Sequence, residues 1–208
     1  MKRRSFLASA AALAVSGCGA QAVWAPDADV QRVRYRHPNG PSYTLFTMKN
    51  VGSDNGAHTA LMISASERVI FDPFGTFRGP GIPERNDVVF GINPAVLDYF
   101  VDFHARQTYY VITQHVPLQA AAAEDLYRRA LVAGPVGAAL CTTTTSRLLR
   151  ETPGITGIRQ TFFPDRLMRQ VATQPGVVTK EWRDDDPDKA SADLFAWVPG
   201  QPNRFNIE

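Results

Sequence analysis

The order of strand-like and helix-like segments is the feature that most limits the fold of this chain. Residues 32–37 and 42–49 flank a His-Pro-Asn-Gly-Pro turn, and residues 58–63 and 68–71 flank a four-residue turn. Short turns favour antiparallel pairing, because parallel strands need a long crossover connection. The pattern therefore predicts antiparallel hairpins in the first half of the chain.

Helix-like segments follow the hairpins. An Asn-Pro pair at 93–94 provides an N-cap and a first helical turn. Residues 107–113 are strand-like, and residues 118–131 form an Ala-rich stretch that ends before Gly-Pro. Further helices are predicted from Cys141 and over residues 164–173. We therefore predict an α+β domain in which an antiparallel sheet packs against helices.

The composition is that of one ordinary globular domain. Of the 208 residues, 44% are hydrophobic and 20% are charged, close to the average for folded domains. Lysine and arginine number 22 against 20 acidic residues, and three of the basic residues lie at positions 2–4. Clustered basic residues supply most of the affinity for phosphate backbones, so we expect no nucleic-acid partner.

Metal and cofactor motifs are not evident in the sequence. The two cysteines and four histidines have no metal-ligand spacing, and no nucleotide-binding loop is present. The acidic run at 184–186 is followed by Pro187 and Lys189, which favours a solvated loop. We therefore expect neither a metal ion nor a cofactor.

The first 17 residues have the features of an export signal. A basic start precedes an apolar run at residues 6–15 that is too short to span a bilayer. The Val-Ser-Gly-Cys sequence that follows resembles the lipobox of bacterial lipoproteins, in which cleavage before the cysteine leaves that residue to carry a lipid. The resemblance implies a signal peptide at 1–17, lipidation of Cys18 and a membrane-anchored protein of the cell envelope. A plain secretory signal with a chance cysteine is the alternative.

The segment after Cys18 is predicted to connect the lipid to a single domain. Residues 18–31 are small, polar and Pro-containing, which is typical of a short tether, and residues 32–208 would form the domain. With Cys18 acylated, Cys141 is the one remaining thiol and cannot form an internal disulfide. A free thiol in an oxidising compartment is either deeply buried or used.

Cys141 is the candidate nucleophile. It shares one face of its predicted helix with Thr145, Leu148 and Leu149, so the thiol lies at the helix start. Unpaired backbone amides there favour the thiolate and can also stabilise an oxyanion. The alternative is a small buried hydrophobic residue, which is the role of most lone cysteines.

His58 and Asp72 are the candidate base and its partner. If the hairpin is centred on Ala65, these two residues are directly opposite each other, with Cβ atoms about 5 Å apart. A carboxylate beside an imidazole fixes its tautomer and stabilises its charged form. A half-exposed histidine beside a solvated aspartate is the alternative. His115, just after a predicted strand, is the reserve base.

These residues together resemble a known superfamily. His58 in AHTALMI, Asp72 in RVIFDPF and Cys141 in ALCTTTTSRLL follow one another in an order similar to the circularly permuted branch of the NlpC-type papain-like superfamily. That branch includes bacterial envelope lipoproteins. The resemblance implies a papain-like fold with Cys141 as nucleophile, His58 as base and Asp72 as the orienting residue.

The resemblance also implies a function. It indicates a lipid-anchored cell-envelope thiol hydrolase that cleaves an amide, in a peptide or a cell-wall stem peptide, or a lipid acyl bond. The Gly- and Pro-rich loop at residues 74–87 is expected to border the substrate cleft. The alternative is a non-catalytic lipoprotein of the same fold that binds a peptide or a lipid, with Cys141 merely packed.

Overall fold

The computed structural model describes residues 22–188 together with Arg204, Phe205 and Ile207. The predicted signal peptide and Cys18 lie outside these residues. The strands are β1 (Ser42–Asn50), β2 (Gly56–Ser64), β3 (Arg68–Phe71), β4 (Glu84–Arg85), β5 (Val88–Val89), β6 (Tyr109–Pro117) and β7 (Val178–Trp182). The helices are α1 (Asp27–Val33), α2 (Pro94–His104), α3 (Ala120–Leu131), α4 (Cys141–Glu151) and α5 (Pro164–Val171).

The described strands form one antiparallel sheet of seven, so the prediction of an α+β domain is confirmed. The strand order is β4-β5-β3-β2-β1-β6-β7, which places β2 and β1 at the centre. Among the described residues, no helix combines the length and the apolar character that a membrane span requires.

The sheet separates two hydrophobic cores. Because successive residues of a strand point to opposite faces, Tyr43 and Leu45 of β1 join one core and Phe46 and Met48 join the other. The first core is completed by α1, α3, α4 and α5, and the second by α2. Residues near the start of β2 can therefore contact helices on either side.

The start of α2 follows the sequence prediction. The Asn93 side chain accepts a hydrogen bond from the backbone N–H of Val96 at 3.0 Å, and Pro94 occupies the first helical turn. Leu97 and Phe100 are buried against the sheet. This cap fixes where α2 begins and therefore which of its residues reach the sheet.

The predicted strand at residues 32–37 is wrong. Residues up to Val33 belong to α1, and β1 pairs with β2 on one side and β6 on the other, which leaves no position for a further strand beside it. Val30 and Val33 have helical spacing and pack into the core. The following Tyr35 ring lies 4.8 Å from the guanidinium carbon of Arg68.

The described part of the predicted tether packs on the domain. The N–H of Ala25 donates to the carbonyl of Glu84 at 3.0 Å, Trp24 forms an isolated β-bridge with Arg85, and Val30 is buried. The tether was predicted from the small and polar residues of this segment. Backbone hydrogen bonds and the buried Val30 side chain nevertheless hold the segment on the domain. The ordered domain therefore begins before residue 32.

Two features near the end of the described chain differ from the sequence analysis. β7 pairs with β6 at the sheet edge and was not predicted, because most of its side chains are exposed and give no apolar pattern. The acidic run is paired rather than fully solvated: Arg204 lies 2.8 Å from Asp184, and Arg106 lies 3.1 Å from Asp186.

Replacement of the α2 cap should destabilise the fold. We expect Asn93→Ala to lower the free energy of unfolding by about 1 kcal/mol, because it leaves the Val96 amide without its acceptor. Gln119→Ala is the matched control, since Gln119 is exposed at the N-cap of α3 and its side chain makes no cap hydrogen bond. Urea unfolding of both variants measures the difference, and an equal loss in the two would contradict the role of the cap.

Candidate active site

His58 and Asp72 form a hydrogen-bonded pair where β3 ends. The Nε2 of His58 lies 2.7 Å from Oδ1 of Asp72, and the carboxylate is only 3% exposed. Leu61 is opposite Phe71 in the β2–β3 ladder, which centres the turn on Ser66 rather than on Ala65. The predicted register is therefore wrong by two residues. A shift of two keeps both side chains on one face, so the pair forms diagonally.

The Asp72 carboxylate is held by the loop that follows β3. A Cβ atom on Gly75 would lie 1.7 Å from Oδ2 of Asp72, so the carboxylate occupies space that only glycine leaves open. The N–H of Phe77 donates to the same carboxylate. Burial raises the pKa of Asp72, but the hydrogen bond with His58, the charge of the His58 ring and the Phe77 amide together hold it below its usual value. Asp72 is therefore ionised at neutral pH.

Cys141 lies beside the part of β2 that β3 leaves open. β2 has nine residues and β3 has four, and the β3 ladder reaches no further than Leu61. α4 begins there with Cys141 as its first residue, and the N–H of Thr59 donates to the sulfur. The Oγ1 of Thr59 also donates to Oγ1 of Thr142 at 3.2 Å. The short β3 thus gives the thiol access to the edge of β2.

The chain that leads into α4 is held by a carboxylate and by an unusual backbone conformation. Oδ2 of Asp87 accepts the N–H of Val136 at 2.7 Å, and the N–H of Leu140 donates to the carbonyl of Gly137. Ala139 has a φ of 62°, in the left-handed region that a residue with a Cβ atom rarely adopts. Such strained residues cluster at functional sites.

The threonine run packs α4 closely against the sheet. Thr142, Thr144 and Thr145 are buried, as are Leu148 and Leu149, which were predicted to share the face of Cys141. Threonine side chains are short, and Thr142 contacts β2 directly through its hydroxyl group. Cys141 itself is only half-buried, so its sulfur differs from a deeply buried structural thiol.

Cys141 and His58 form a coupled pair. Burial raises the pKa of the Cys141 thiol. The interaction with His58 and the charge of that ring have the larger combined effect and bring the pKa down to about 7. Burial lowers the pKa of His58, whereas its hydrogen bonds with Asp72 and Cys141 raise it to about 10. A thiolate and an imidazolium are therefore the favoured forms between about pH 7 and about pH 10. Since Nε2 contacts Asp72, Nδ1 is the ring nitrogen left for the sulfur.

His104, the last residue of α2, is a further residue of the site. Its ring is stacked on that of His58, with centroids 6.4 Å apart and planes inclined by 17°. Its Nδ1–H donates to the carbonyl of Phe100 at 2.8 Å, and burial lowers its pKa to about 4. His104 therefore presents a neutral ring to His58. Its position depends on how α2 packs on the sheet, which residue spacing along α2 does not reveal.

A cleft of about 200 Å³ opens beside His58. Met48, Phe74 and Tyr109 give it an apolar and aromatic lining, and Phe74 is half exposed. Phe74 and its neighbours come from the loop at residues 74–87, so part of that loop borders a cleft, in agreement with the prediction. The lining favours an uncharged, apolar group next to the histidine.

His115 is separate from this site. It pairs with Thr44, whereas His58 pairs with Met48, four residues further along β1. At about 3.3 Å per residue this separation is about 13 Å along the sheet, so His115 does not lie beside His58 and Asp72. The Nδ1 of His115 instead contacts Oγ1 of Thr44 at 3.2 Å. The structure therefore does not support His115 as the reserve base.

Three consecutive acidic residues lie as close together as the ligands of a cation site do. The carboxylates of Asp184, Asp185 and Asp186 lie close enough to one another to hold an ion. Arg204 and Arg106 already contact Asp184 and Asp186. These contacts neutralise the negative charge that would attract a cation. The clustering of the carboxylates is therefore accounted for by their ion pairs with the two arginines.

Comparisons with protein-family models, with curated proteins and with solved structures find no match to this chain.

The rate of Cys141 alkylation should depend on His58. We expect the reaction with iodoacetamide to reach half its maximal rate near pH 7 in the wild type, because His58 lowers the pKa of the thiol. In His58→Ala the midpoint should move above about 8.5, the value of an unperturbed thiol, because burial alone raises the pKa. His115→Ala is the control and should match the wild type. Intact mass spectrometry follows the reaction, and identical profiles for the wild type and His58→Ala would exclude the coupled pair.

Gly75→Ala should uncouple Asp72 from His58. The added methyl group displaces the carboxylate, so we expect the midpoint of alkylation to rise as it does in Asp72→Asn. Overpacking of this kind also lowers the free energy of unfolding by about 1–3 kcal/mol. Gly52→Ala is the control, because its Cβ atom would meet nothing closer than 3.5 Å. An unchanged alkylation profile in both Gly75→Ala and Asp72→Asn would show that the carboxylate does not tune the pair.

Proposed function

We propose that this protein is a thiol hydrolase in which Cys141 is the nucleophile, His58 the base and Asp72 the residue that orients the base. The supporting observation is the 2.7 Å hydrogen bond between His58 and Asp72, next to a thiol that lies on the first residue of a helix and whose pKa the His58 ring lowers. A nucleophile, a base and an orienting acid in this arrangement are the components of acyl-transfer catalysis.

The first half of the reaction forms a covalent intermediate. The Cys141 thiolate attacks the carbonyl carbon of an amide or ester, a C–S bond forms, and the electron pair of the C=O bond moves to oxygen. When the tetrahedral intermediate collapses, the bond to the leaving nitrogen or oxygen breaks. His58 transfers its Nδ1 proton to the leaving group, which departs neutral.

The second half of the reaction restores the enzyme. Neutral His58 accepts a proton from water, and the resulting hydroxide attacks the thioacyl carbon. Collapse of this intermediate breaks the C–S bond and releases a carboxylic acid. The sulfur leaves as a thiolate beside protonated His58, which is the starting state.

The start of α4 provides the donors for the oxyanion. The N–H of Thr144 makes the first hydrogen bond within this turn, to the carbonyl of Leu140 at 2.9 Å. The amides of Cys141, Thr142 and Thr143 precede that bond and lie at the positive end of the helix dipole. The negative oxygen that develops next to the sulfur would be stabilised by this end of the helix.

Asp72 and His104 keep His58 in the orientation that the reaction needs. The bond from Nε2 to Asp72 directs Nδ1 toward the sulfur and stabilises the imidazolium. His104 remains neutral near pH 7 because its pKa is about 4, so its ring supports His58 without adding a second positive charge. A charged neighbour would lower the basicity of His58.

The proposal places the enzyme in the cell envelope, as a lipoprotein of the permuted NlpC-type papain-like superfamily. Its support is the lipobox-like sequence before Cys18 and the order of His58, Asp72 and Cys141 along the chain. The substrate class that we propose is a peptide, a cell-wall stem peptide or a lipid acyl group. The apolar lining of the cleft at His58 is compatible with a neutral substrate group next to the base.

A trapped thioacyl adduct is the test of this function. We expect p-nitrophenyl esters to add one acyl group to Cys141 of a chain that starts at residue 19, as detected by intact mass and peptide mapping. Cys141→Ala should give no adduct, and His58→Ala should acylate about 10²–10⁴-fold more slowly, the usual contribution of a general base. His115→Ala is the matched control. If the wild type acylates no faster than His58→Ala, the protein is a binding lipoprotein and not an enzyme.

A further inference from the structure

Two adjacent phenylalanines are exposed at the start of α5. Phe162 is 64% exposed and Phe163 is 61% exposed. Among the large hydrophobic side chains that are exposed in the described part of the chain, only these two are neighbours in sequence. Single exposed apolar residues are common on protein surfaces, whereas a contiguous apolar patch indicates contact with another molecule or with a membrane. Neither ring has a role in the proposed hydrolysis.

Arginines of α5 lie beside the phenylalanines. Leu167 and Val171 are buried, so Arg166 and Arg169, which are exposed, form the outer face of this helix. The guanidinium carbon of Arg166 lies 5.5 Å from the centre of the Phe163 ring. The basic groups and the apolar rings therefore belong to one surface.

A third arginine joins this surface from the preceding loop. Arg159 is exposed, and its backbone N–H donates to the side chain of Gln170, which places it next to the end of α5. We call the combined area the basic aromatic surface. It consists of Arg159, Phe162, Phe163, Arg166 and Arg169.

The positive charge of the basic aromatic surface is not neutralised by nearby carboxylates. Asp165 is the nearest acidic residue in sequence, but its carboxylate accepts the N–H of Gly56 at 2.7 Å and lies 3.6 Å from Nζ of Lys49. None of the three arginines forms a salt bridge with a residue that the structure describes. The surface therefore presents free positive charge next to two exposed rings.

The basic aromatic surface lies beside the two elements that carry the proposed nucleophile and base. The N–H of Thr161 donates to Oγ of Ser146 in α4 at 3.0 Å, and Cys141 is the first residue of that helix. The start of α5 is also held on Gly56, the first residue of β2, two residues before His58. A partner bound to this surface would therefore lie close to α4 and to the start of β2.

We propose that the basic aromatic surface docks on an anionic lipid bilayer, with its rings among the headgroups and its arginines against the lipid phosphates. A bilayer satisfies both parts of the surface, because aromatic side chains favour the interfacial region and basic side chains are attracted to anionic lipids. A soluble polyanion would use the arginines and leave the rings in water. The lipobox-like sequence before Cys18 points to the same partner, because it predicts a chain held at a membrane.

Co-sedimentation with lipid vesicles tests the docking. The protein is the chain that starts at residue 19, which carries no lipid and contains every residue that the structure describes. We expect it to bind vesicles of phosphatidylglycerol and phosphatidylcholine in equal parts at least about tenfold more tightly than vesicles of phosphatidylcholine alone. Added salt should reduce this difference. Cys141→Ala should bind like the wild type, so a failure of the proposed hydrolysis would leave this result unchanged.

Two double variants test the two parts of the surface separately. Phe162→Ser combined with Phe163→Ser should lower the affinity for the mixed vesicles about tenfold, because no ring then enters the interfacial region. Arg166→Gln combined with Arg169→Gln should lower it at least about tenfold, since each basic residue near an anionic surface contributes about fivefold. All four side chains are exposed, so we expect both variants to fold.

Matched controls replace one apolar and one basic side chain outside the basic aromatic surface. Val132, at the C-cap of α3, is 82% exposed, and the side chain of Arg128 on α3 is 70% exposed. Val132→Ser and Arg128→Gln should both bind the mixed vesicles like the wild type. Urea unfolding of each variant verifies that the fold is retained.

Three kinds of result would overturn the proposal. Equal binding to both kinds of vesicle, or none to either, would mean that the surface does not recognise anionic lipid. Full binding by the phenylalanine variant would mean that the arginines act alone, as they would on an acidic polymer. Losses in the controls as large as those in the double variants would mean that the vesicles bind elsewhere on the protein.

Discussion

The hydrogen bond between His58 and Asp72 is the interaction on which the rest of the site depends. The carboxylate is buried, so its charge requires a partner, and the imidazolium of His58 together with the Phe77 amide provides it. The same bond leaves one ring nitrogen to face the sulfur. Removal of either residue would leave a buried group without its counter-charge and would return the thiol to ordinary reactivity.

The length of β3 decides where the nucleophile can lie. If β3 continued alongside β2 toward His58, its backbone would take the amide of Thr59 that now donates to Cys141. The chain turns away at Asp72 instead, and Gly75 lets it pass close to the carboxylate. This early strand end thus lets Asp72 bind His58 and leaves the Thr59 amide for Cys141, although the three site residues are far apart along the chain.

Local signals in the sequence predicted part of this arrangement. The Asn93 cap and the helical face shared by Thr145 and Leu148 are local features, and the structure shows both. His58 and Asp72 were correctly placed on the same face of the sheet, because alternate residues of a strand point to opposite faces. A register error of two residues does not change the face. The role of His104 could not be predicted, because it depends on packing between elements. The strand predicted at residues 32–37 failed because both sides of β1 are taken by partners that lie later in the chain.

The packing of α1 and of the chain before it has a consequence for a lipid-anchored protein. The backbone is fixed to the domain from Trp24 and Ala25 onward, and Trp24 is the sixth residue after Cys18. Six fully extended residues span about 20–22 Å at most. With the proposed lipid at Cys18, this short connection would hold the domain close to the bilayer. Molecules deep in the cell wall would then be too far away for the domain to contact. The substrates of a domain held in this way would be molecules at the bilayer surface.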